Sequence, residues 1–253
     1  MPLKLLVIHS TSMVGKSTTV ATLLHPRLQS PRVFSVEQQN QDAARYGIDV
    51  LRYHATEFKR LMEDVELETN DVIVDVGASQ YAEIMAGFDR ARGVINDFDV
   101  VIVPTTPDGR VQEETLTTIE ALRKMQLQPN RLRIIFNRAT LDHGQHLERQ
   151  FEDVFAHLFS DKQIPCYKDL VLFENPIHAD LRDAGLSFHQ MVNDHTNYRQ
   201  ALDEAKKKDP RGAGTIRLVR MLAIQRAVAR AKEDLDNAFA ALRLPAVGAE
   251  AKE

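Results

Sequence analysis

Short apolar segments alternate with amphipathic stretches along most of the chain, and this alternation limits the folds open to it. The apolar segments are rich in Val and Ile and rarely alternate with polar residues, as strands buried on both faces of a parallel sheet do. The predicted strands are residues 3–9, 33–36, 72–76, 100–103, 132–136 and 170–173. The predicted helices between them are residues 16–25, 57–65, 81–95, 113–125 and 147–159. This order predicts a doubly wound α/β fold with a mainly parallel sheet and helices on both faces, in which ligands bind at the carboxyl ends of the strands.

The composition is that of a globular protein with a single cysteine. Of the 253 residues, 43% are hydrophobic and 27% are charged, and a chain of this size can build a core without disulfides. Because Cys166 is the only cysteine, an intrachain disulfide and a cysteine zinc site are excluded, which fits a reducing compartment. The first apolar run is too short to span a membrane. We therefore expect a cytoplasmic protein with no membrane span.

The segment S-T-S-M-V-G-K-S-T at residues 10–18 follows the first predicted strand and opens the first predicted helix. In a phosphate loop, backbone N–H groups and the helix N-terminus hold phosphate oxygens, a lysine bridges the outer phosphates, and a Ser or Thr hydroxyl binds Mg²⁺. Gly15, Lys16 and Ser17 suit these roles, although Ser10 replaces the first glycine of the consensus. The alternative is an ordinary strand-to-helix turn, and the position between strand and helix favours the phosphate loop.

Acidic residues stand at the carboxyl ends of two further predicted strands. Asp75 lies in an otherwise apolar strand, where an unpaired carboxylate is costly, and Gly77 follows it with an N–H that can approach a γ-phosphate. We expect Asp75 to hold Mg²⁺ or its water, with helix capping as the alternative. Glu37 follows the strand at residues 33–36, where it is either a metal ligand or a loop residue facing solvent.

These motifs together resemble those of the ParA/MinD ATPases, which have a deviant phosphate loop and act in DNA segregation and cell-division positioning. The resemblance includes the loop, the acid after the second strand, D-V-G at residues 75–77, P-T at 104–105, I-I-F-N-R at 134–138 and E-N-P at 174–176. Within that superfamily, V-G-K-S-T-T followed by L-H-P-R at residues 24–27 is similar to the StbB-type plasmid stability proteins. The resemblance covers about residues 1–190 and excludes the C-terminal helix.

The resemblance implies ATP and Mg²⁺ as cofactors and assigns roles to matching positions. It implies that Lys16 contacts the β- and γ-phosphates, Ser17 binds Mg²⁺, and Thr18 contacts the α-phosphate. The expected metal ligands are Ser17, Asp75 and Glu37, and the expected catalytic residues are Lys16, Asp75 and Gln39. The expected nucleotide-binding residues are Ser12, Met13, Val14, Gly15, Lys16, Ser17, Thr18, Gly77, Asn137, Arg138, Asn175 and Pro176.

Two positions depart from the superfamily pattern. Thr11 stands where ParA/MinD proteins have a signature lysine that reaches the nucleotide of the partner subunit, and a threonine is too short and uncharged to replace it. Gln39 stands in place of a second acid that helps to position the attacking water. Nucleotide binding is therefore better supported than rapid hydrolysis, and a homodimer clasped around two nucleotides is in question.

The residues after the fifth predicted strand bear on the choice of base. The resemblance implies that Asn137 recognises the base. Guanine-specific enzymes commonly have N-K-x-D at this place, where the aspartate accepts from both guanine N–H groups. This chain has N-R-A-T at residues 137–140, and without the carboxylate adenine is the better match.

Positive charge is concentrated in the C-terminal part of the chain. Residues 206–232 hold nine Lys or Arg and one acid, a charge of +8 within a chain of net charge −4. An apolar stripe at alternating spacings of three and four predicts a long helix, which packs on its own domain or on a second subunit. The stripe is formed by Met221, Ile224, Val228, Ala231, Leu235, Ala238 and Leu242. We expect a nucleotide-binding domain at residues 1–205, a basic helical extension at 206–244 and a flexible tail at 245–253.

The basic helix has three interpretations: a solvated face, a DNA contact through Arg217, Arg220, Arg226 and Arg230, or a patch for anionic lipid. Lipid is the least favoured because the stripe lacks bulky aromatic anchors. For the whole chain we weigh an ATP-dependent switch in plasmid stability with a plasmid-encoded DNA-binding partner, a metabolite kinase or ligase, and a binding module without catalysis. ATP and ADP are the expected small-molecule partners.

Overall fold

A computed structural model of the chain describes residues 2–37, 43–140, 146–161 and 163–245. Its seven-stranded sheet is parallel throughout, in the order β3-β2-β4-β1-β5-β6-β7. The strands are β1 (Lys4–Val7), β2 (Arg32–Val36), β3 (Val50–Tyr53), β4 (Val72–Val76), β5 (Val100–Thr105), β6 (Leu132–Ala139) and β7 (Val171–Phe173). The predicted α/β fold is confirmed, and the carboxyl ends of all these strands meet at one edge of the sheet.

The helices follow the strands in the order expected for this fold. They are α1 (Lys16–Thr18), α2 (Phe58–Leu67), α3 (Tyr81–Arg90), α4 (Gly109–Lys124), α5 (Leu147–Gln150), α6 (Glu152–Ser160), α7 (Ile177–Ala184), α8 (Phe188–Val192), α9 (Tyr198–Lys208) and α10 (Ala213–Ala241). Helix α1 continues as a π-helical stretch, Thr19–Leu24, and a 3₁₀ turn, His25–Arg27. Residues 16–27 therefore form one helical segment.

The two faces of the central sheet are covered by different elements. Leu6 and Val74 belong to a buried cluster that includes apolar residues of α2, α3, α4 and α6. Because side chains alternate along a strand, Val7 and Asp75 point to the opposite face. The helical segment of residues 16–27 packs against β4 on that face, and its apolar side chains are buried. The sheet thus lies between two layers, with the first helical segment placed beside Asp75.

The sequence prediction missed one strand and the interruptions within two helices. Strand β3 lies at the sheet edge, where Leu51 and Arg52 are exposed, so it lacks the continuous apolar run of a buried strand. The helix predicted at residues 81–95 stops at Arg90, and Gly93 in the left-handed region (φ 90°) begins a new 3₁₀ turn. The helix predicted at residues 147–159 is divided at Phe151 into α5 and α6.

The chain divides into two compact units. The first comprises residues 1–174 and 237–253, and the second comprises residues 175–236. The boundary predicted after residue 205 falls inside helix α9 of the second unit; the assignment of functions to domains stays a prediction. Within the second unit, Gln225 of α10 donates to the backbone oxygens of Asp194 (3.2 Å) and Thr196 (3.0 Å), just before α9.

The apolar stripe of α10 is buried within a single chain. Its residues from Ile224 onward, Val228, Ala231, Leu235, Ala238 and Leu242, are each no more than 9% exposed. In the first unit, the buried Arg133 of β6 donates to the backbone oxygen of Leu242 (2.6 Å) and lies over the Tyr167 ring. This anchors the end of α10 to the sheet. Packing within its own chain is therefore favoured over packing on a second subunit.

The contact between α2 and α3 supplies a test of the core. A Cβ atom on Gly87 would lie 2.5 Å from Cδ2 of Phe58, whereas a Cβ on Gly109, at the start of α4, would have no atom within 4 Å. We expect Gly87→Ala to lower the free energy of unfolding by about 1–3 kcal/mol because the packed ring must move. Gly109→Ala is the matched control and should not lower it. Denaturant titration measures both, and equal effects would contradict this packing.

Candidate phosphate-binding site

The loop at residues 9–15 leads from β1 into the helical segment. Gly15 has φ 93° and Met13 has φ 62°, both in the left-handed region, which glycine adopts readily and methionine rarely does. The helical segment starts at Lys16, and the N–H of Thr19 donates to the oxygen of Gly15 at 2.8 Å. Met13 is 79% exposed at the tip of the loop. The loop thus curls tightly at the carboxyl edge of the sheet, as a phosphate loop requires.

Lys16 is buried at the base of this loop. Its Nζ donates to the backbone oxygens of Thr11 (2.8 Å) and His9 (3.2 Å), and the residue is 7% exposed. Burial lowers the pKa of the Lys16 ammonium from 10.5 to about 8, while the charges of Asp75 and Glu37 act in the opposite direction. A buried ammonium held by backbone oxygens near two carboxylates can neutralise an anion that enters the loop.

Asp75 and Glu37 lie at the same edge of the sheet as the loop. Asp75 is 3% exposed and pairs in register with Val7 of β1 and with Ser35 of β2. Glu37 follows β2, and its Oε1 accepts from the Ser79 hydroxyl at 2.8 Å. The structure thus brings Lys16, at the start of the first helical segment, near Asp75 and Glu37 at the ends of two strands. The sequence analysis singled out all three residues.

Gly77 has a packing role beside this pair of carboxylates. A Cβ atom at this position would lie 1.9 Å from the Oε2 atom of Glu37. A side chain at residue 77 would therefore displace the Glu37 carboxylate. The Gly77 N–H donates to the oxygen of Val36 at 2.9 Å. In the structure this N–H is therefore used within the sheet edge, and its predicted contact with a γ-phosphate stays a prediction.

Asn137 contacts the phosphate loop directly. Its Nδ2 donates to the oxygen of Val14 at 2.8 Å, and its Oδ1 accepts from the N–H of Arg138 at 2.9 Å. The β6–β7 pairing shifts register at this point, and Arg138 has φ 57°, so a bulge turns the Asn137 side chain towards the loop. A Cβ atom on Gly15 would lie 2.1 Å from Nδ2 of Asn137. Position 15 therefore requires glycine for two reasons, the close approach of the Asn137 amide and the positive φ angle. Base recognition by Asn137 and Arg138 stays a prediction.

Two residues that the sequence analysis did not select also lie at the loop. The Tyr46 hydroxyl is 2.8 Å from Oγ1 of Thr18, the side chain expected to contact the α-phosphate. His9 is fully buried, and its Nδ1 accepts from the N–H of Thr11 at 2.9 Å. The position of His9 at the end of an apolar strand could have indicated that this histidine is buried at the loop. Nothing in the sequence near Tyr46 indicates its contact with Thr18.

The roles of four further predicted site residues are not tested by the structure. Gln39 falls within residues 38–42, outside the part that the structure describes. Asn175 and Pro176 begin the second compact unit, where Oδ1 of Asn175 accepts from the N–H of Ile177 at 3.0 Å. Ser12 lies on the loop and is exposed. The nucleotide roles of these residues stay predictions.

The four arginines proposed to contact DNA are exposed on α10. They are Arg217, Arg220, Arg226 and Arg230. Arg230 lies 3.5 Å from Glu233 and 3.7 Å from Asp234 of the same helix. Within the described ranges, no ion pair is found for the other three. Their positive charge is therefore less compensated than that of Arg230.

The oxygen donors at the loop suit Mg²⁺. Ser17 offers a hydroxyl and Asp75 a carboxylate, with Glu37 close by, and Mg²⁺ prefers oxygen ligands while keeping several waters. Across residues 2–37, 43–140, 146–161 and 163–245, no group of three or more His, Cys, Asp or Glu could hold a metal ion. A water-rich Mg²⁺ site shared with phosphate oxygens therefore fits these residues better than a cage of protein ligands.

Comparison with solved structures identifies the fold. The apo form of McdA from Cyanothece is similar at a TM-score of 0.52 and 11% identity, covering 74% of this chain and 92% of McdA. The ATP complex of a McdA variant gives 0.51 and 11%, covering 93% and 96%. A putative plasmid partition protein of Borrelia burgdorferi bound to AMPPNP gives 0.49 and 12%, covering 88% and 98%. The McdA structures show that this chain has the fold of the ParA/MinD-type ATPases.

The sequence comparisons found no match: no protein-family model matches the chain, and no curated protein matches it. The described helices include none with the length and apolar character needed to cross a bilayer.

The lowered pKa of His9 predicts that the protein loses stability in acid. Burial, together with the charge of Lys16, lowers the pKa of His9 from 6.5 to about 3. Between these values the unfolded chain binds a proton that the folded chain does not, so the free energy of unfolding falls as the pH drops from 6.5 towards 3. The contribution of His9 to this slope approaches about 1.4 kcal/mol per pH unit.

Denaturant titrations across this pH window measure the effect. His9→Asn should give a shallower slope than the parent, because its side chain does not titrate there. His195→Asn, at an exposed position, is the control and should keep the parent slope. Parallel curves for the parent and His9→Asn would contradict the buried neutral imidazole.

Proposed function

We propose that this protein is an Mg-ATP-binding switch of the ParA/MinD type that acts in plasmid stability or DNA segregation, with slow or partner-stimulated hydrolysis. The observation that carries the proposal is the convergence of Lys16, Asp75 and Glu37 at a glycine-containing loop between the first strand and its helix. The fold is shared with an ATP-bound McdA variant, which supports a nucleotide as the ligand. The buried Lys16 ammonium supplies the charge that a polyphosphate requires.

The residues at the loop divide the work of binding. The loop N–H groups and Lys16 hold the phosphates, the Ser17 hydroxyl and Asp75 hold Mg²⁺ directly or through water, and Glu37 adds negative charge on the metal side. When bound, Mg²⁺ neutralises charge on the phosphate oxygens. Thr18 would contact the α-phosphate, and the Tyr46 hydroxyl lies beside Thr18. Adenine is the proposed base because N-R-A-T at residues 137–140 lacks the carboxylate that pairs with guanine.

We expect hydrolysis to be slow for two reasons. Water attack on the γ-phosphate is accelerated mainly by positioning and by charge stabilisation. In this chain Lys16 is the one loop lysine, because Thr11 provides no second positive charge, and Gln39 offers an amide in place of a carboxylate. A partner protein that orders residues near the γ-phosphate would raise the rate.

The expected partners are a DNA-binding protein and DNA. The less compensated arginines of α10 belong to the segment of charge +8, and each contact with a phosphate adds salt-sensitive attraction. ATP or ADP occupancy would then control association with the DNA-bound partner. Homodimerisation around two nucleotides is less favoured because Thr11 cannot reach across an interface as the signature lysine does.

Thermal unfolding tests nucleotide binding. We expect Mg-ATP to raise the Tm of the parent protein, since a ligand at one hundred times its Kd adds about 2.7 kcal/mol to the free energy of unfolding. Lys16→Ala should abolish the rise, whereas Lys59→Ala, which removes an exposed lysine of α2, should preserve it. Phosphate release without added substrate should be slow but measurable. An unchanged Tm of the parent protein would overturn the proposed function, and absent release with DNA and partner would reduce it to binding alone.

Duplex DNA retention tests the arginines of α10. The double variant Arg220→Ala and Arg226→Ala should weaken retention and lower the salt slope by about 1 for each DNA phosphate that is no longer neutralised. Arg230→Ala is the matched control, with a smaller effect because Arg230 lies near Glu233 and Asp234. Titrations at several salt concentrations measure both quantities. Equal retention by the double variant and the parent would contradict the DNA contact and favour the interpretation that these arginines form a solvated face.

A further inference from the structure

His9 connects the phosphate loop to helix α4. Its Nδ1 accepts from the N–H of Thr11 at 2.9 Å, and its Nε2 is 2.9 Å from Oγ1 of Thr115 on α4. His9 and Thr115 are both fully buried. The next loop residue is also held by α4, since the Ser10 hydroxyl donates to Oε2 of Glu114 at 3.0 Å. Two consecutive residues at the start of the loop are therefore fixed to one helix.

The partners of His9 determine its protonation state. A backbone N–H can only donate, so Nδ1 must be the acceptor and Nε2 must carry the hydrogen. Nε2–H then donates to Oγ1 of Thr115, whose own hydroxyl donates to the oxygen of Val111 at 2.7 Å. The imidazole is thus neutral with one tautomer fixed, and both nitrogens of this fully buried ring have a hydrogen-bond partner.

The same imidazole sets the position of the loop lysine. The two backbone oxygens that hold Nζ of Lys16 belong to His9 itself and to Thr11. The bond from the Thr11 N–H to the His9 ring fixes the spacing between these two residues. If that bond is removed, the backbone at Thr11 is free to turn, and the oxygen that holds Lys16 moves with it.

We propose that His9 is a positioning residue for the phosphate loop: its neutral ring fixes Thr11, and through Thr11 and its own carbonyl it preorganises Lys16 for a polyphosphate. This inference rests on the proposed function and adds to it a residue that determines nucleotide affinity without touching the nucleotide. A loop that is ordered before binding loses less entropy on binding, which raises affinity.

Two substitutions separate the two ends of the ring. The Asn amide oxygen reaches the Nδ1 position, so His9→Asn keeps the acceptor for Thr11 and loses the bond to Thr115. The longer Gln side chain places its amide nitrogen at the Nε2 position, so His9→Gln keeps a donor to Thr115 and loses the bond to Thr11. Thr115→Val is the matched control for the α4 end. Each change removes one hydrogen bond of His9, and Thr115→Val also removes the bonds of Oγ1 to Thr105 (3.0 Å) and Val111 (2.7 Å). We therefore expect Thr115→Val to lower the free energy of unfolding at least as much as either His9 variant.

Nucleotide affinity distinguishes positioning from a general structural role. In titrations with Mg-ATP, His9→Gln should weaken binding about tenfold, whereas His9→Asn and Thr115→Val should stay within about threefold of the parent. Affinity reductions that follow the stability reductions in all three variants would overturn the inference. If the parent protein does not bind Mg-ATP, the proposed function fails; if the parent binds and His9→Gln binds equally well, only the role of His9 fails.

Nitrogen NMR of the parent protein gives a test that needs no variant. The His9 ring should be neutral and protonated on Nε2 from about pH 5 upward, with and without Mg-ATP. A ring that is charged, or protonated on Nδ1, would be unable to accept from the Thr11 N–H and would overturn the inference even if His9→Gln did not fold.

Discussion

The buried ammonium of Lys16 is the interaction on which the site depends. An unpaired charge in the interior is costly, and this one is offset by two backbone oxygens of its own loop and by the charges of Asp75 and Glu37. The carboxylates can approach because parallel strands end at one edge of the sheet. The sheet topology therefore makes it possible to keep a positive charge out of water, ready for an anion.

Local pattern was sufficient to predict most of the sheet and the core of the site. The buried strands are continuous apolar runs. Gly15 and Lys16 lie on the connection that follows β1, and Asp75 lies at the end of β4, so their convergence follows from the parallel arrangement. Strand β3 was not predicted because it lies at the sheet edge, where half of its residues are exposed and its sequence is not a continuous apolar run. Gly15 was selected as part of a motif, and the structure adds a second physical reason, the Asn137 amide packed against it.

The missed residues depend on contacts between distant parts of the chain. His9 is satisfied by Thr115, which is 106 positions away, and Thr18 meets Tyr46 across the connection that follows β2. Such pairs leave no periodic trace, because each partner is a single polar residue in an otherwise ordinary segment. A polar residue inside an apolar strand is the one local sign of such a contact. The sequence analysis used this sign to select Asp75 but did not use it for His9.

Thr11 contributes to the loop through its backbone. The Thr11 oxygen accepts from Nζ of Lys16, and the Thr11 N–H donates to the His9 ring. Thr11 therefore helps to hold Lys16, the source of positive charge in the loop, through its backbone alone.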